Sequence, residues 1–466
     1  SSKLSSKEKT ILNNIEREAL NYAEQVDIPK KRGRLILGAR SAIFLPFNNL
    51  GLIIVDEEHE PSYKQQDPAP RYHARSAAIM MAQWYGAKVL LGTATPSIES
   101  YHNALNGKYG LVEMTERFQG LQLPHITLID LQRQYHRKEM YGHFADPLVD
   151  RIREELAKGK QVILFQNRRG YAPYIQCSTC GYSPRCPQCN VTLTQHKASA
   201  RMECHYCGYS VERPTICPAC QTQDMRSMGF GTEKVEEEIS RLYPEADVAR
   251  LDGDTSSSES AFRRIVHNFE EGNTDILVGT QIVTKGFDFG GVTTVGILNA
   301  DNLLSAPDFR ASERAFQLMM QVAGRAGRRN DRGRVVIQTS QPTHPVIRYV
   351  ATGDYSAMAN AELQEREKFG YPPYSHLVRF SLRHRNYETL RNASHDLAQA
   401  LRQKFGQRVM GPASSAIEMI RSEHRAEIML KVERRASFAL ARKMVREAMA
   451  KWGEEHRSIT TIIDVD

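Results

Sequence analysis

The sequence predicts a multidomain α/β protein carrying a metal-held insertion and a smaller α+β domain, on three observations. Two blocks alternate short β-rich runs with longer helical patterns, the grammar of a parallel sheet covered by helices. All 8 cysteines fall between residues 177 and 220, inside the second block. Beyond residue 345 the pattern changes to a compact strand and helix series. With 466 residues and 41% apolar composition, the chain has material for several cores.

In the first block Leu52-Ile53-Ile54-Val55 reads as a strand buried on both faces, delivering Asp56-Glu57-Glu58-His59 at its carboxyl end. Ligand chemistry in open α/β sheets sits at that end. A second strand, Lys88-Val89-Leu90-Leu91, leads into Gly92-Thr93-Ala94-Thr95-Pro96-Ser97, where hydroxyls follow a glycine turn and a proline stops the strand. The second block opens with Gln161-Val162-Ile163-Leu164-Phe165 and the turn Asn167-Arg168-Arg169-Gly170. It resumes with a strand over 274–278, then Gly279-Thr280-Gln281, Thr284-Lys285-Gly286-Phe287-Asp288 and Gln321-Val322-Ala323-Gly324-Arg325-Ala326-Gly327-Arg328. Arg325 and Arg328 are three apart, so a helix there would aim both from one face at one polyanion.

The cysteines form four C-x-x-C pairs: Cys177/Cys180, Cys186/Cys189, Cys204/Cys207 and Cys217/Cys220. Each pair aims two thiolates at one tetrahedral ion, so eight ligands make two structural four-cysteine sites for Zn²⁺. A disulfide cluster is disfavoured by the spacing and by a large chain without a secretion pattern; an iron–sulfur cluster is a further alternative. Spacing leaves sequential and nested pairing both open. Zinc ligation contributes about 10–16 kcal/mol in model peptides, enough to fold a segment with little apolar core.

In the last segment Gly370-Tyr371-Pro372-Pro373 punctuates the chain. Strands are expected over 376–380, 426–432 and 460–464, and helices over 387–404 and 435–451, a split β-α-β type of module. A net charge of +8 favours an anionic partner such as nucleic acid. No run of 18 apolar residues occurs, and Ser1-Ser2-Lys3 opens no signal pattern, so no membrane partner is expected.

Taken as an ordered set, residues 56–59, 92–97 and 321–328 resemble motifs II, III and VI of superfamily 2 helicases. With Gly38-Ala39-Arg40-Ser41-Ala42 ahead of them, the eight-cysteine insertion between them and Gly229-Phe230-Gly231-Thr232-Glu233 after it, the resemblance narrows to the primosomal protein N-prime (PriA) family of bacterial replication-restart helicases. The resemblance implies RecA-like helicase lobes. It assigns residues 1–115 to a partial first lobe (motifs Ib, II and III), 116–176 to a linker and the start of the second lobe and 177–221 to the zinc-binding insertion. It assigns 222–345 to the rest of the second lobe (motifs V and VI) and 346–466 to a C-terminal α+β domain.

The resemblance also implies roles. Asp56 would hold the Mg²⁺ of Mg–ATP, Glu57 would position the attacking water, and His59 would relay nucleotide state towards DNA. Arg325 and Arg328 would act as arginine fingers. Glu58, Thr93, Thr95, Gly286, Asp288 and Gln321 would couple ATP to motion. Tyr63, Lys64, Arg71, Tyr72, His73 and Arg75 interleave aromatic and basic groups and would grip single-stranded DNA; the bland reading of that stretch is a packed loop around Pro61, Pro68 and Pro70. The implied activity is ATP-dependent 3′-to-5′ unwinding at stalled forks, with forked and single-stranded DNA, primosome proteins, single-stranded DNA-binding protein and the replicative helicase loading machinery as partners, in the bacterial cytoplasm and nucleoid.

One element is missing from the pattern: no glycine loop ending in Gly-Lys-Ser or Gly-Lys-Thr occurs in these residues. The expectation is therefore a first lobe that starts partway through its sheet, leaves apolar surface uncovered and does not hydrolyse ATP by itself. The alternative is a zinc-stabilised DNA- and protein-binding fragment without motor activity. A metal nuclease built on the acidic motif would leave the paired arginines unexplained.

Overall fold

The computed structural model describes residues 35–114, 116, 122–167, 174–195, 201–228, 231–253, 255–256, 258–284, 289–327, 332–420 and 422–466. Gly286, Asp288 and Arg328, and the turns at 168–170 and 229–230, lie outside the described residues. The chain divides into two compact units, Ser1–Ser100 and Tyr101–Asp466.

In the first unit the strands Leu52–Asp56 and Lys88–Gly92 pair in parallel, with Asp56 opposite Gly92. The helix Ala74–Tyr85 connects them and stops at Gly86, whose φ of +66° suits a residue without a Cβ. Val55, Ala78 and Ala82 are buried between helix and sheet. On the other sheet face Leu52, Ile54 and Leu90 are 52%, 59% and 55% exposed, so the strand expected to be buried on both faces is buried on one among the described residues.

The second unit is built on a six-stranded, wholly parallel sheet. Its order is Val248–Leu251, Ile276–Gly279, Gln161–Phe165, Val292–Ile297, Arg334–Thr339, His125–Asp130. The central strand Gln161–Phe165 is buried at every position, which explains its unbroken apolar run. Residues 125–130, within the stretch read as linker, supply the edge strand beside Arg334–Thr339.

The cysteine-rich segment leaves this lobe and returns through an antiparallel stem, Tyr174–Cys177 against Met225–Met228. Beyond the stem lie short strands at 194–195, 201–203 and 210–212. Its core is a mixture of cysteines with Val191, Leu193 and Met202, and it is continuous with Phe309, Tyr371, Leu377 and Met429 from the lobe and the C-terminal domain.

The C-terminal domain is a β-α-β-β-α-β module. Strands Ser375–His384, Val409–Ile420, Glu423–Glu433 and Thr460–Val465 form an antiparallel sheet ordered second, third, first, fourth. Helices Tyr387–Phe405 and Phe438–Glu455 cover one face, burying Phe380, Leu397, Ile428, Leu430 and Trp452. The strand Val409–Ile420 has no counterpart in the sequence reading. It contains Gly411-Pro412, and the ladder is interrupted between Met410 and Ala413, an arrangement tolerated at a sheet edge because proline has no N–H to give.

Candidate nucleotide site and metal centres

Four knuckles with one local geometry place the thiols. After each C-x-x-C the next residue, Gly181, Asn190, Gly208 or Gln221, adopts positive φ and donates its backbone N–H to the carbonyl of the first cysteine, at 2.8–2.9 Å. Each first cysteine in turn donates its N–H to the residue two beyond the second. The left-handed turn points both Sγ atoms to one side. Glycine occupies two of the four positions and asparagine one, in keeping with that backbone requirement.

The structure resolves the pairing as nested. Cys177, Cys180, Cys217 and Cys220 form one cluster and Cys186, Cys189, Cys204 and Cys207 the other, with the sulfurs of each within 4.8 Å of one another. Contacts of 3.6 Å for Cys177 to Cys220, 3.5 Å for Cys180 to Cys217 and 3.6 Å for Cys186 to Cys207 are far too long for a disulfide of about 2.0 Å. They are close to the roughly 3.8 Å edge of a tetrahedron with Zn–S bonds of about 2.3 Å. The donor set is all sulfur with no position left for water, so both clusters fit structural zinc. Cys186 is held far below the usual thiol range, first by its hydrogen bond with Cys189, while the same contact pushes Cys189 far up.

In the first unit Asp56 ends its strand, exposed, and Glu57 follows with a φ of +47° while its N–H donates to Asp56 Oδ1 at 3.0 Å. Glu58 turns inward and is 1% exposed. It accepts the Ser97 N–H at 2.6 Å, the Ser97 and Ser100 hydroxyls at 3.1 and 2.9 Å, and Arg75 Nη1 at 2.5 Å. His59 Nδ1 shares a hydrogen bond of 2.7 Å with Thr93 Oγ1, which also accepts the Thr95 N–H at 3.0 Å. The acidic loop and the hydroxyl turn are thereby joined at the carboxyl ends of neighbouring parallel strands.

The proposed DNA-contact residues divide. Arg75 donates from Nη1 to Glu58 and Ser97 inside the motif, which gives it a structural role there. The Tyr63 hydroxyl donates to the Asp56 carbonyl at 2.7 Å, and its pKa is raised by burial, then by Asp56, Glu60 and Glu57. Residues 64–73 form a closed loop: Lys64 bridges to His73, and Gln65 Nε2 donates to the carbonyls of Pro68 and Pro70. Tyr72 sits edge-on to Phe44 at 4.6 Å, with its pKa raised by burial, and Arg71 lies 3.6 Å from Asp67. The stretch is thus packed at its base, with Lys64 and Arg71 half-buried at its ends.

In the second unit the helix Ala311–Ala323 carries Gln321 in its last turn and ends before Arg325. The expected single helical face for Arg325 and Arg328 is therefore not formed at Arg325. Gly324 caps the helix, Ala326 turns back onto Ala323, and Gly327, at a φ of +69°, donates its N–H to the Val292 carbonyl at 3.1 Å. At its start, Glu313 is paired with Arg366 at 2.6 Å, and Glu362 lies 3.5 Å from the same guanidinium. Arg366, 1% exposed, also lies 5.1 Å from the Phe309 ring, which stacks at 4.5 Å on Tyr371. The Tyr371 hydroxyl donates to the Cys189 carbonyl at 2.8 Å. The helix leading to Arg325 is thereby tied to the inner thiol cluster. The Glu362/Arg366 spacing of four was readable in the sequence; Glu313 gave no local signal.

The parallel lobe with a zinc insertion defines the class, a helicase C-terminal lobe: residues 216–330 match the helicase conserved C-terminal domain. Residues 186–211 match the PriA DNA helicase Cys-rich region domain, and 367–466 the primosomal protein N C-terminal domain. Two of these three matches are to domains named for PriA, and the chain is similar to replication restart proteins. It is 40% identical over 442 residues to replication restart protein PriA of Bacillus subtilis, covering 94% of this chain and 55% of that protein. To its Haemophilus influenzae counterpart it is 37% identical over 434 residues, covering 93% and 58%. The chain spans about half the length of these relatives. A solved structure of RecG bound to a three-way DNA junction matches at 16% identity with a TM-score of 0.37, covering 69% of this chain and 31% of that one, a likeness too slight to bear on the site. Among the described residues no helix is long and apolar enough to cross a membrane.

Proposed function

We propose that these residues belong to an ATP-driven DNA helicase that works 3′ to 5′ at stalled or recombination-derived forks and starts primosome assembly there. The observation that carries this reading is the 2.7 Å bond between His59 and Thr93, since a direct link between an acidic loop and a hydroxyl turn is what a motor needs to convert nucleotide state into movement. On this reading Asp56 binds Mg²⁺ and Glu57 orients water. Glu58, in contrast, is a structural anchor that holds the turn at Ser97. Arg325 and Arg328 stabilise charge on the transferred phosphoryl group, with Gln321, Gly286 and Asp288 completing the nucleotide contacts. Thr95 supports Thr93 through its backbone, and Tyr63, Lys64, Arg71, Tyr72 and His73 contribute to the DNA path. Primosome proteins, single-stranded DNA-binding protein and the replicative helicase loading machinery are the proposed partners, in the bacterial cytoplasm at the nucleoid.

The 466 residues alone are proposed to bind DNA and zinc without turning over ATP, because no Gly-Lys-Ser/Thr loop is among them. The test uses a version carrying a phosphate loop upstream, with His59→Ala and Thr93→Val compared on forks bearing either tail. Either variant should keep basal ATP hydrolysis and lose strand displacement. Unwinding at the parental rate by both variants would remove the basis for the coupling.

A further inference from the structure

The sheet of the C-terminal domain has two faces with different fates. Val378, Phe380, Leu382, Ile428, Leu430 and Val432 point to the helices. Leu377 and Met429, on the other face, join the core around the inner thiol cluster. Further along that second face, Arg379 is half-buried. Burial alone would lower its pKa, but Tyr206, Glu427, Asp308 and Asp466 raise it. Four residues on, the surroundings change. Arg383 stands directly opposite Arg425 in the ladder, with exposed Thr460 opposite Arg383 on the next strand.

Both arginines are half-buried, and the Nε of each is shut off from solvent with no hydrogen-bond partner. Among the described residues neither guanidinium has an ion-pair partner. Burial, and then the Arg383 charge, lowers the Arg425 pKa. Glu423 and Glu427 flank Arg425 on its own strand and offset part of this, without forming an ion pair with it, and Glu427 also accepts the Ser415 hydroxyl at 3.2 Å. Like charges directly opposite one another in a ladder destabilise a sheet, so the pair has no structural benefit of its own.

We propose that Arg383 and Arg425 form a phosphate clamp that holds the sugar–phosphate backbone of a nucleic acid against the outer sheet face of the C-terminal domain. This rests on the nucleic-acid reading of the protein and adds a contact point to it. Cross-strand neighbours sit about 5 Å apart at Cβ, so two planar guanidinium forks flank one phosphate, with the Thr460 hydroxyl beside them. The face is a sheet surface rather than an enclosed cup, which suits a continuous polyanion. The clamp reads no base edge, so it is indifferent to sequence.

The test is fluorescence anisotropy of a labelled forked DNA with the zinc-loaded 466-residue chain over a salt series, for the parent, the double variant Arg383→Gln/Arg425→Gln, and Arg425→Lys. The double variant should bind about tenfold more weakly, with the slope of log affinity against log salt shallower by roughly 1–2, in line with one or two lost phosphate contacts. Arg425→Lys should keep most of the slope, and the melting temperature of the double variant should be no lower than that of the parent. An unchanged slope in the double variant, with the parent binding normally, overturns the clamp alone. A parent that does not bind DNA overturns the nucleic-acid reading together with the clamp. Calorimetric titration with inorganic phosphate and with a poly-glutamate peptide completes the test. Saturable binding of either probe that the double variant loses, beside an unchanged DNA slope, would assign the pair to a small anion or a protein and overturn the proposal.

Discussion

Arg366→Ala is predicted to destabilise the second unit more than any surface substitution, because it removes a cation shared by two buried carboxylates. The Arg366 side chain is 1% exposed, Glu313 4% and Glu362 6%, and the guanidinium lies 2.6 Å and 3.5 Å from them. Removing one partner of a buried pair costs about 3–5 kcal/mol, since the remaining charge keeps its desolvation penalty. At roughly 2 °C per kcal/mol for a unit of this size, the melting temperature should fall by about 6–10 °C. Differential scanning fluorimetry of the zinc-loaded chain gives the shift. Hydrogen exchange should show residues 311–323 opening more often, because Glu313 fixes the first turn of that helix. A fall of less than about 2 °C, with exchange at 311–323 unchanged, would refute the reasoning.

Other outcomes follow from the same structure. Native mass spectrometry should find two zinc ions in the parent and one in each single Cys→Ser variant. Combining Cys180→Ser with Cys217→Ser should still leave one ion, whereas Cys180→Ser with Cys186→Ser should leave none. Arg75→Ala should destabilise the first unit by about 3–5 kcal/mol through the stranded Glu58, seen as faster proteolysis, while an Arg75→Lys chain that folds should keep its DNA affinity. Glu362 is pushed up to about 7, first by burial, so between about pH 4.5 and 7 the folded chain keeps a proton the unfolded chain has released. Stability should therefore fall as pH rises through that window, and Glu362→Gln should flatten the melting profile between pH 5 and pH 8.

The sequence made legible those elements whose signal is local. An unbroken apolar run marks Gln161–Phe165 as a central strand because both its faces are covered. The four C-x-x-C spacings announce metal because a knuckle is a four-residue device. What depends on distant partners stayed hidden. Nested and sequential pairing differ only in how the knuckles come together, which the stem at 174–177 and 225–228 decides. Arg75 reads as a DNA contact beside Tyr72 and His73, yet its partner is Glu58, 17 residues earlier and buried. Strand Val409–Ile420 was masked by Gly411-Pro412, a breaker that only an edge position forgives. Arg325 falls past the helix end because Gly327 ties back to Val292, a contact with no trace in the local pattern.

The central claim, that an ATP motor is assembled around these motifs, is tested most directly by DNA-stimulated ATP hydrolysis, with zinc quantified, for the 466-residue chain beside a version carrying a phosphate loop upstream. The account predicts turnover by the longer version, stimulated by forked DNA, and none by the shorter one, with two zinc ions held by each. If neither hydrolyses ATP while both hold zinc and bind forks, the motor reading is contradicted and a binding module remains.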